Sequence, residues 1–377
     1  ARPLRQGDSI SLGRVRLTVR HVPGHTPEHL AFIVTDGATS GLAVGIVSGD
    51  FLFAGDVGRP DLLERAVGVE GSMQRSAVEL HRSLQALREL PDYLQVWPGH
   101  GAGSACGKAL GAIPQSTLGY ELRTNWAFQV RDELEFARLV LADQPEPPAY
   151  FARMKQLNAR GAPAMPARVH LDPDALRAHV RDGGPVVDLR PPFEFLARHL
   201  DGSIGISLGR SFLTWAGSVL DPDREIVLLM SPDALHEADA VVRDLALIGY
   251  DHVLGVLPAR ELEAFAPRAI ASIGSVPPSD LESRAEGATV LDVRTEAEWN
   301  EGHVPGATHV PLATLGSKLT ELRGRQPIVT YCQSGARSAT AASLLRASGI
   351  RDVSNVEGGF DAWLREGAAA AHAGHVR

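Results

Sequence analysis

One cysteine, followed by a glycine and an arginine at loop spacing, is the part of this sequence best suited to chemistry. Cys332 ends the apolar run Ile328-Val329-Thr330-Tyr331, and Gln333-Ser334-Gly335-Ala336-Arg337-Ser338 leads from it into a helical pattern reaching Ala347. A loop that wraps from a strand end to a helix N-terminus can aim several backbone N–H groups at one point, beside the positive end of the helix dipole. A thiolate is stabilised there and becomes a nucleophile near neutral pH, and the same donors suit the outer sulfur of a persulfide. Gly335 permits the tight curl, and Arg337 brings fixed positive charge for an anionic sulfur donor or acceptor. A lone cysteine at a strand end is most often a small buried hydrophobe. The glycine and arginine that follow Cys332 shift the reading to catalysis.

Three further polar points lie in the first part of the chain, in Pro23-Gly24-His25-Thr26-Pro27-Glu28-His29, Ser48-Gly49-Asp50 and Trp97-Pro98-Gly99-His100-Gly101. Each follows an apolar strand pattern. Histidines and carboxylates projected from loops at several strand ends are how a sheet scaffold assembles a metal site. Any one of them alone reads as a hydrogen-bonded loop residue.

The elements that must position these residues fall into two kinds. Short strand patterns at Val15–Val19, Ala31–Val34 and Val44–Val47 precede an amphipathic helix from about Ser72 to Leu90 and a strand ending at Trp97. Helical stretches follow at Tyr120–Asp143 and Tyr150–Asn158, and a Pro- and Ala-rich segment from Gly161 to Pro173 reads as a linker. Beyond it lies an internal repeat. Val186-Val187-Asp188-Leu189-Arg190 matches Val290-Leu291-Asp292-Val293-Arg294, and Glu194, His199 and Gly202 match Glu298, His303 and Gly306 at the same offset. Each copy alternates strand and helix, which predicts a parallel sheet flanked by helices. In the first copy Met230 stands where Cys332 does, and Ser231-Pro232-Asp233-Ala234-Leu235 lacks the glycine and the arginine. A thioether cannot become a thiolate, so that copy reads as structural or docking.

The totals restrict the remaining possibilities. A chain of 377 residues divides into two or three domains, and no apolar run is long enough to cross a bilayer. A net charge of -8 without a basic block argues against a nucleic-acid surface, and without a spanning run no membrane partner is expected. The only two cysteines, Cys106 and Cys332, form no CxxC pair, so no disulfide framework is expected and a reducing cytoplasm fits. Cys106 reads as a loop residue without catalytic duty. The chain opens at Ala1 inside a hairpin-like pattern, from which an upstream segment is expected.

From Asp292-Val293-Arg294 through Glu298-Trp299, Gly302-His303-Val304-Pro305-Gly306-Ala307, the Cys332–Ser338 loop and Glu357-Gly358-Gly359-Phe360 with Trp363, the last part resembles a rhodanese domain. That resemblance implies a sulfurtransferase in which Asp292 and Arg294 buttress the active-site loop. The first part resembles the metallo-β-lactamase superfamily, in its branch of persulfide dioxygenases and hydroxyacylglutathione hydrolases. It implies His25 and Asp50 as metal ligands and His100 as a ligand of a second metal or a residue standing behind the first. Arg59, in Gly58-Arg59-Pro60-Asp61, would bind the thiol cosubstrate, and its spacing favours Asp50 over Asp56 as ligand. The superfamily's HxHxDH motif is expected upstream of Ala1.

The expected architecture is α/β throughout. A partial metallo-β-lactamase αββα sandwich over 1–165 is followed by an inactive rhodanese-like domain over 166–270, an active one over 271–367, and a disordered tail over 368–377. The resemblances imply oxidation of a low-molecular-weight thiol persulfide by O2 to sulfite, with Fe(II) as metal and zinc as the alternative. Coupled to it, Cys332 would pass sulfane sulfur among persulfide, sulfite and thiosulfate. A zinc-dependent thioester hydrolase with a rhodanese appendage and a non-catalytic sulfur carrier or docking module are the other readings. Assembly into a homo-oligomer is left open.

Overall fold

The computed structural model describes the chain except residues 1, 66–67, 102–111, 143, 145–146, 149, 166–171, 263–269, 285 and 375–377, so Cys106 lies outside the described residues. Two compact units divide at Pro147/Pro148.

In the first unit six strands form one sheet in chain order: β1 (Ser9–Leu12), β2 (Val15–His21), β3 (Leu30–Asp36), β4 (Ala43–Gly49), β5 (Gln95–Pro98) and β6 (Ser116–Thr117). Alternating apolar residues in β2 and β3 suit an antiparallel meander, which runs from β1 to β4. The β4–β5 pair is parallel, so the chain must cross over, and the helix Ser72–Gln85 makes that crossing. Its Ala77, Leu80 and Leu84 are fully buried against Val22, Ala31, Ile46 and Val96 of the sheet side, and each leucine contributes about 1.5–3 kcal/mol by leaving water. Two reversals separate β2 from β4, and β5 runs parallel to β4. The C-terminal ends of β2, β4 and β5 therefore share one edge, where His25, Asp50 and His100 follow them.

The helical stretch expected over Tyr120–Asp143 is three helices, Leu118–Thr124, Trp126–Gln129 and Glu133–Leu141. Asn125 and Asp132 break it, because their side chains accept hydrogen bonds from the N–H groups of Ala127 and of Leu134 and Glu135.

The second unit holds both repeats. In the first copy β7 (Val186–Asp188), β9 (Ile204–Gly205), β10 (Ile226–Met230) and β11 (Val253–Pro258) lie in the order β11-β10-β7-β9. The second copy places β14 (Thr289–Asp292), β15 (Thr308–His309), β16 (Ile328–Tyr331) and β17 (Val353–Val356) in the order β17-β16-β14-β15, and β13 (Gly274–Val276) extends its edge. Both sheets are parallel, and the repeat seen in sequence is a repeat of topology.

Three expected boundaries differ. The helix Phe151–Arg160 belongs to the second unit rather than closing the first: Tyr150 and Met154 pack on the first copy's core, and the Arg153 guanidinium donates to the Gly249 carbonyl at 3.2 Å. The boundary expected at 270/271 cuts the short strand β12 (Ile270–Ala271), which pairs with β8 (His199–Leu200) of the first copy. The last helix runs from Gly359 to Gly374, through most of the expected disordered tail, because its alanine-rich sequence has high helix propensity. Among the described residues no helix is long and apolar enough to cross a membrane.

Candidate active site

Cys332 stands just beyond the C-terminal end of β16, and its side chain is buried, with 1% exposed. Gly335 takes the left-handed φ of 99° that turns the chain into the helix Ala336–Ala347. Its N–H donates to Cys332 Sγ at 3.1 Å, and Ser338 Oγ lies 3.5 Å from the same sulfur. A donor and the positive end of a three-turn helix thus face one sulfur atom, surroundings that suit an anion. Ser334 is the exposed residue of the loop, and Ala336 is half-buried.

Backbone and side chains fix the loop from behind. The Phe360 N–H donates to the Cys332 carbonyl at 2.7 Å and the Asp361 N–H to that of Gln333 at 3.0 Å. Gln333 donates to Asp361 Oδ1 at 2.5 Å and accepts from Arg294 Nη1 at 3.2 Å. A side chain on Gly359, whose φ is +61°, would collide with the Cys332 carbonyl oxygen. Arg294 is held by the buried Asp292 carboxylate, with Nη2 at 2.8 Å, and also donates to the Gly302 carbonyl at 2.6 Å. Its guanidinium carbon sits 4.0 Å over the Phe360 ring.

Arg337 is not an open cation. Both its terminal nitrogens donate to the Glu298 carboxylate, at 2.7 and 2.5 Å. Glu298 also closes a capping box with Thr295 at the start of the helix Glu296–Glu301. Burial works to raise the Glu298 carboxyl, and the hydrogen bonds from Arg337 and Thr295 outweigh it, leaving the group at about 2. Because this folded value lies below the ordinary 4.5, the pair's contribution to stability is present above that pH and fades as pH falls towards 2. Acid titration of the thermal midpoint is expected to show a loss across that window that Glu298→Gln lacks; an unchanged profile in the variant would contradict the shift.

The first copy repeats the buttress without the nucleophile. Arg190 Nη2 donates to Asp188 at 2.7 Å and to the Arg198 carbonyl at 2.7 Å, matching Arg294 with Asp292 and Gly302. Met230 is fully buried in the core, and Pro232 opens a short 3-10 helix, Pro232–Glu237, in place of the cysteine loop. That copy instead braces the helix Ala336–Ala347, whose residues Ser338 to Leu345 are all buried. Phe195 and Leu196 share a core cluster with Ala339, Ala341 and Ala342, and the Gly205 N–H donates to Ser343 Oγ at 3.0 Å.

In the first unit the shared edge brings the three expected ligands together. His25 Nδ1 lies 3.1 Å from the Arg59 carbonyl oxygen and so donates to it, which leaves Nε2 as an acceptor 3.9 Å from Asp50 Oδ2. His100 Nε2 is 3.0 Å from Asp50 Oδ1, off hydrogen-bond geometry, and Oδ1 is a buried oxygen that accepts no hydrogen bond among the described residues. A histidine fixed by a backbone carbonyl on its far nitrogen and a buried unsatisfied carboxylate oxygen fit a divalent metal. The set is partial: among the described residues no three His, Cys, Asp or Glu side chains form a group able to hold a metal ion. Asp56 is engaged elsewhere, accepting from Trp126 Nε1 at 3.0 Å.

Arg59 departs from expectation. Its side chain is fully buried, with Nε and Nη2 donating to Asp61 at 3.0 and 2.7 Å, so it is not placed to meet a cosubstrate from solvent. Its backbone carbonyl does the local work of orienting His25.

Among solved structures, a metallo-beta-lactamase from Staphylococcus aureus subsp. aureus COL resembles this chain with a TM-score of 0.60 and 42% identity, covering 68% of this chain and 71% of that one. The uncharacterized protein YqhL of Bacillus subtilis is 40% identical over 76 residues, 20% of this chain and 60% of YqhL. A sulfurtransferase of Allochromatium vinosum is 37% identical over 82 residues, 22% of this chain and 77% of that protein. The family model described as the rhodanese-like domain matches residues 277–366. The chain belongs to the rhodanese family and shares a metallo-β-lactamase fold. Within this rhodanese the matched span contains Asp292, Arg294, Cys332 and the whole loop to Ser338. It also contains Glu298, which sequence reasoning aligned between the repeats but gave no role; the Thr-x-x-Glu capping signature marked its helix position, and nothing local marked Arg337 as its partner. Nor does the sequence mark a role for His29. Its Nε2 accepts the Asp50 N–H at 3.1 Å, and burial, followed by the nearby His25, lowers its pKa to about 4, so it is a neutral acceptor beside the aspartate.

Proposed function

We propose that this protein transfers sulfane sulfur through a persulfide on Cys332. The observation that carries the reading is the buried Cys332 sulfur facing the Gly335 N–H at 3.1 Å at a helix N-terminus. In the forward step the Cys332 thiolate attacks the outer sulfur of thiosulfate or of an organic persulfide. A new S–S bond forms, the donor's S–S bond breaks, and sulfite or a thiolate leaves with the electron pair. The loop's N–H groups then hold the terminal anionic sulfur until an acceptor thiolate or cyanide attacks it and regenerates Cys332. Exposure to thiosulfate and, separately, to cysteine persulfide, each followed by mass measurement of the intact protein, tests this. The expected result is a gain of one sulfur atom on Cys332 that cyanide removes as thiocyanate; no gain from either donor would sink the proposal.

The unsatisfied Asp50 oxygen and the fixed His25 tautomer support a second activity in the first unit. His25 and Asp50 would contribute ligands to a divalent metal, with His100 serving a second metal or standing behind the first; iron there would supply O2 oxidation of a thiol persulfide to sulfite, and zinc would supply thioester hydrolysis. In that setting the Arg59 carbonyl orients His25, and His29 holds the Asp50 backbone. Purified protein loaded with Fe(II) is expected to retain it, and His25→Ala to lose metal affinity by about 10-fold or more. Retention equal to that of the unaltered protein would remove His25 from the ligand set, and the absence of oxygen uptake with a persulfide would remove the oxidase reading.

A further inference from the structure

Glu298 neutralises the one arginine of the nucleophile's own loop, Cys332–Ser338. Arg337 is the loop's own arginine, two residues beyond the Gly335 whose N–H meets the Cys332 sulfur, and Glu298 holds its guanidinium. The carboxylate meets it through two charge-assisted hydrogen bonds of 2.7 and 2.5 Å, with Arg337 and Glu298 side chains only 18% and 26% exposed. At so little exposure the pairing is poorly screened by water and salt. A dianion approaching Cys332 therefore meets a net-neutral pair rather than a free guanidinium.

We propose that Glu298 sets the donor preference of the Cys332 site, disfavouring the thiosulfate dianion and admitting organic persulfides that carry a single charge on the reacting sulfur. This rests on the sulfur-transfer reading above. Glu298 acts through Arg337, so it is a positioning residue that tunes charge and does not touch the reacting sulfur. The two donors differ by one negative charge at the reacting end. Their ratio of rates is the quantity that one carboxylate charge should move, while loss of packing would lower both together.

Glu298→Gln is the direct test, because glutamine at the third position of the helix still closes the capping box with Thr295 while the charge disappears. The probes are thiosulfate and cysteine persulfide, each with cyanide as acceptor. The ratio of kcat/KM for thiosulfate to that for cysteine persulfide is expected to rise about tenfold in the variant, the worth of one partly screened charge contact. Glu298→Asp, which keeps the charge, is expected to keep the wild-type ratio even if both rates fall. An unchanged ratio in Glu298→Gln overturns the inference, as does a parallel fall with both donors. The wild-type protein gives a second reading that needs no variant. With Arg337 neutralised, thiosulfate turnover should be nearly flat or rise with added salt, whereas a steep fall would reveal an open cation attracting the dianion. Wild-type protein that transfers sulfur from neither donor would sink the sulfur-transfer reading itself; transfer with an unmoved ratio sinks this inference alone.

Discussion

Replacing Cys332 with serine is expected to reduce sulfur transfer from thiosulfate to cyanide by roughly 10³-fold or more, down to the uncatalysed background. A hydroxyl at that position keeps the volume close to that of the thiol and can still accept the Gly335 N–H, so the loop should keep its shape. The difference is chemical. An alkoxide is not accessible near neutral pH without a dedicated base, and it forms no persulfide. The thermal midpoint of Cys332→Ser should therefore stay near that of the unaltered protein while activity vanishes. Substantial residual transfer would mean that another nucleophile carries the sulfur. The first copy offers none at the matching place, because Met230 is buried in the core and Pro232 stands next to the position where the loop would begin.

How much of this arrangement the sequence declares depends on the distance over which each contact is made. The repeat was legible because Asp-x-Arg recurs at a fixed offset, and the structure gives that recurrence one physical meaning: in each copy an arginine two residues beyond a buried strand-end aspartate ties it to a carbonyl eight residues further on. The cysteine loop was legible for the same local reason, since strand, glycine turn and helix are consecutive. The gathering of His25, Asp50 and His100 followed from their each closing an apolar strand, although only the sheet order shows that those strand ends share an edge. Contacts between distant segments were not legible. Arg59 looks like a substrate ligand from its motif, yet Asp61 two residues away captures its guanidinium in the interior. Arg337 reads as free charge until Glu298, 39 residues earlier, is found against it. The division at Pro147/Pro148 was hidden because the helix after it looks like any amphipathic helix, and only its packing on the first copy shows which unit owns it.

The largest effect on stability is expected from Arg294→Ala, at about 3–5 kcal/mol for the second unit. Asp292 has no solvent exposure and the Arg294 side chain is 2% exposed, so the variant strands a carboxylate in the interior without its counter-ion. Burial works against the Arg294 charge, and Asp292 outweighs it, holding the guanidinium above its ordinary range; the two groups are stable there only together. Losing Arg294 also frees the Gln333 side-chain oxygen, the Gly302 carbonyl and the face of Phe360, three contacts that hold the Cys332 loop and the turn behind it. The midpoint of thermal unfolding should fall by on the order of 10 °C for a unit of this size, with sulfur transfer lost beyond what the unfolded fraction explains. Arg294→Lys should recover only part of both, since an ammonium cannot span the carboxylate and the carbonyl with a planar fork. Arg190→Ala separates the two consequences. It breaks the equivalent pair with Asp188 in the copy that has no nucleophile, so it should destabilise by a similar amount while each remaining folded molecule transfers sulfur at the normal rate. If Arg294→Ala unfolds at the wild-type temperature, the buried pair is not what holds the loop, and if Arg190→Ala abolishes transfer in folded protein, the first copy does more than brace the second.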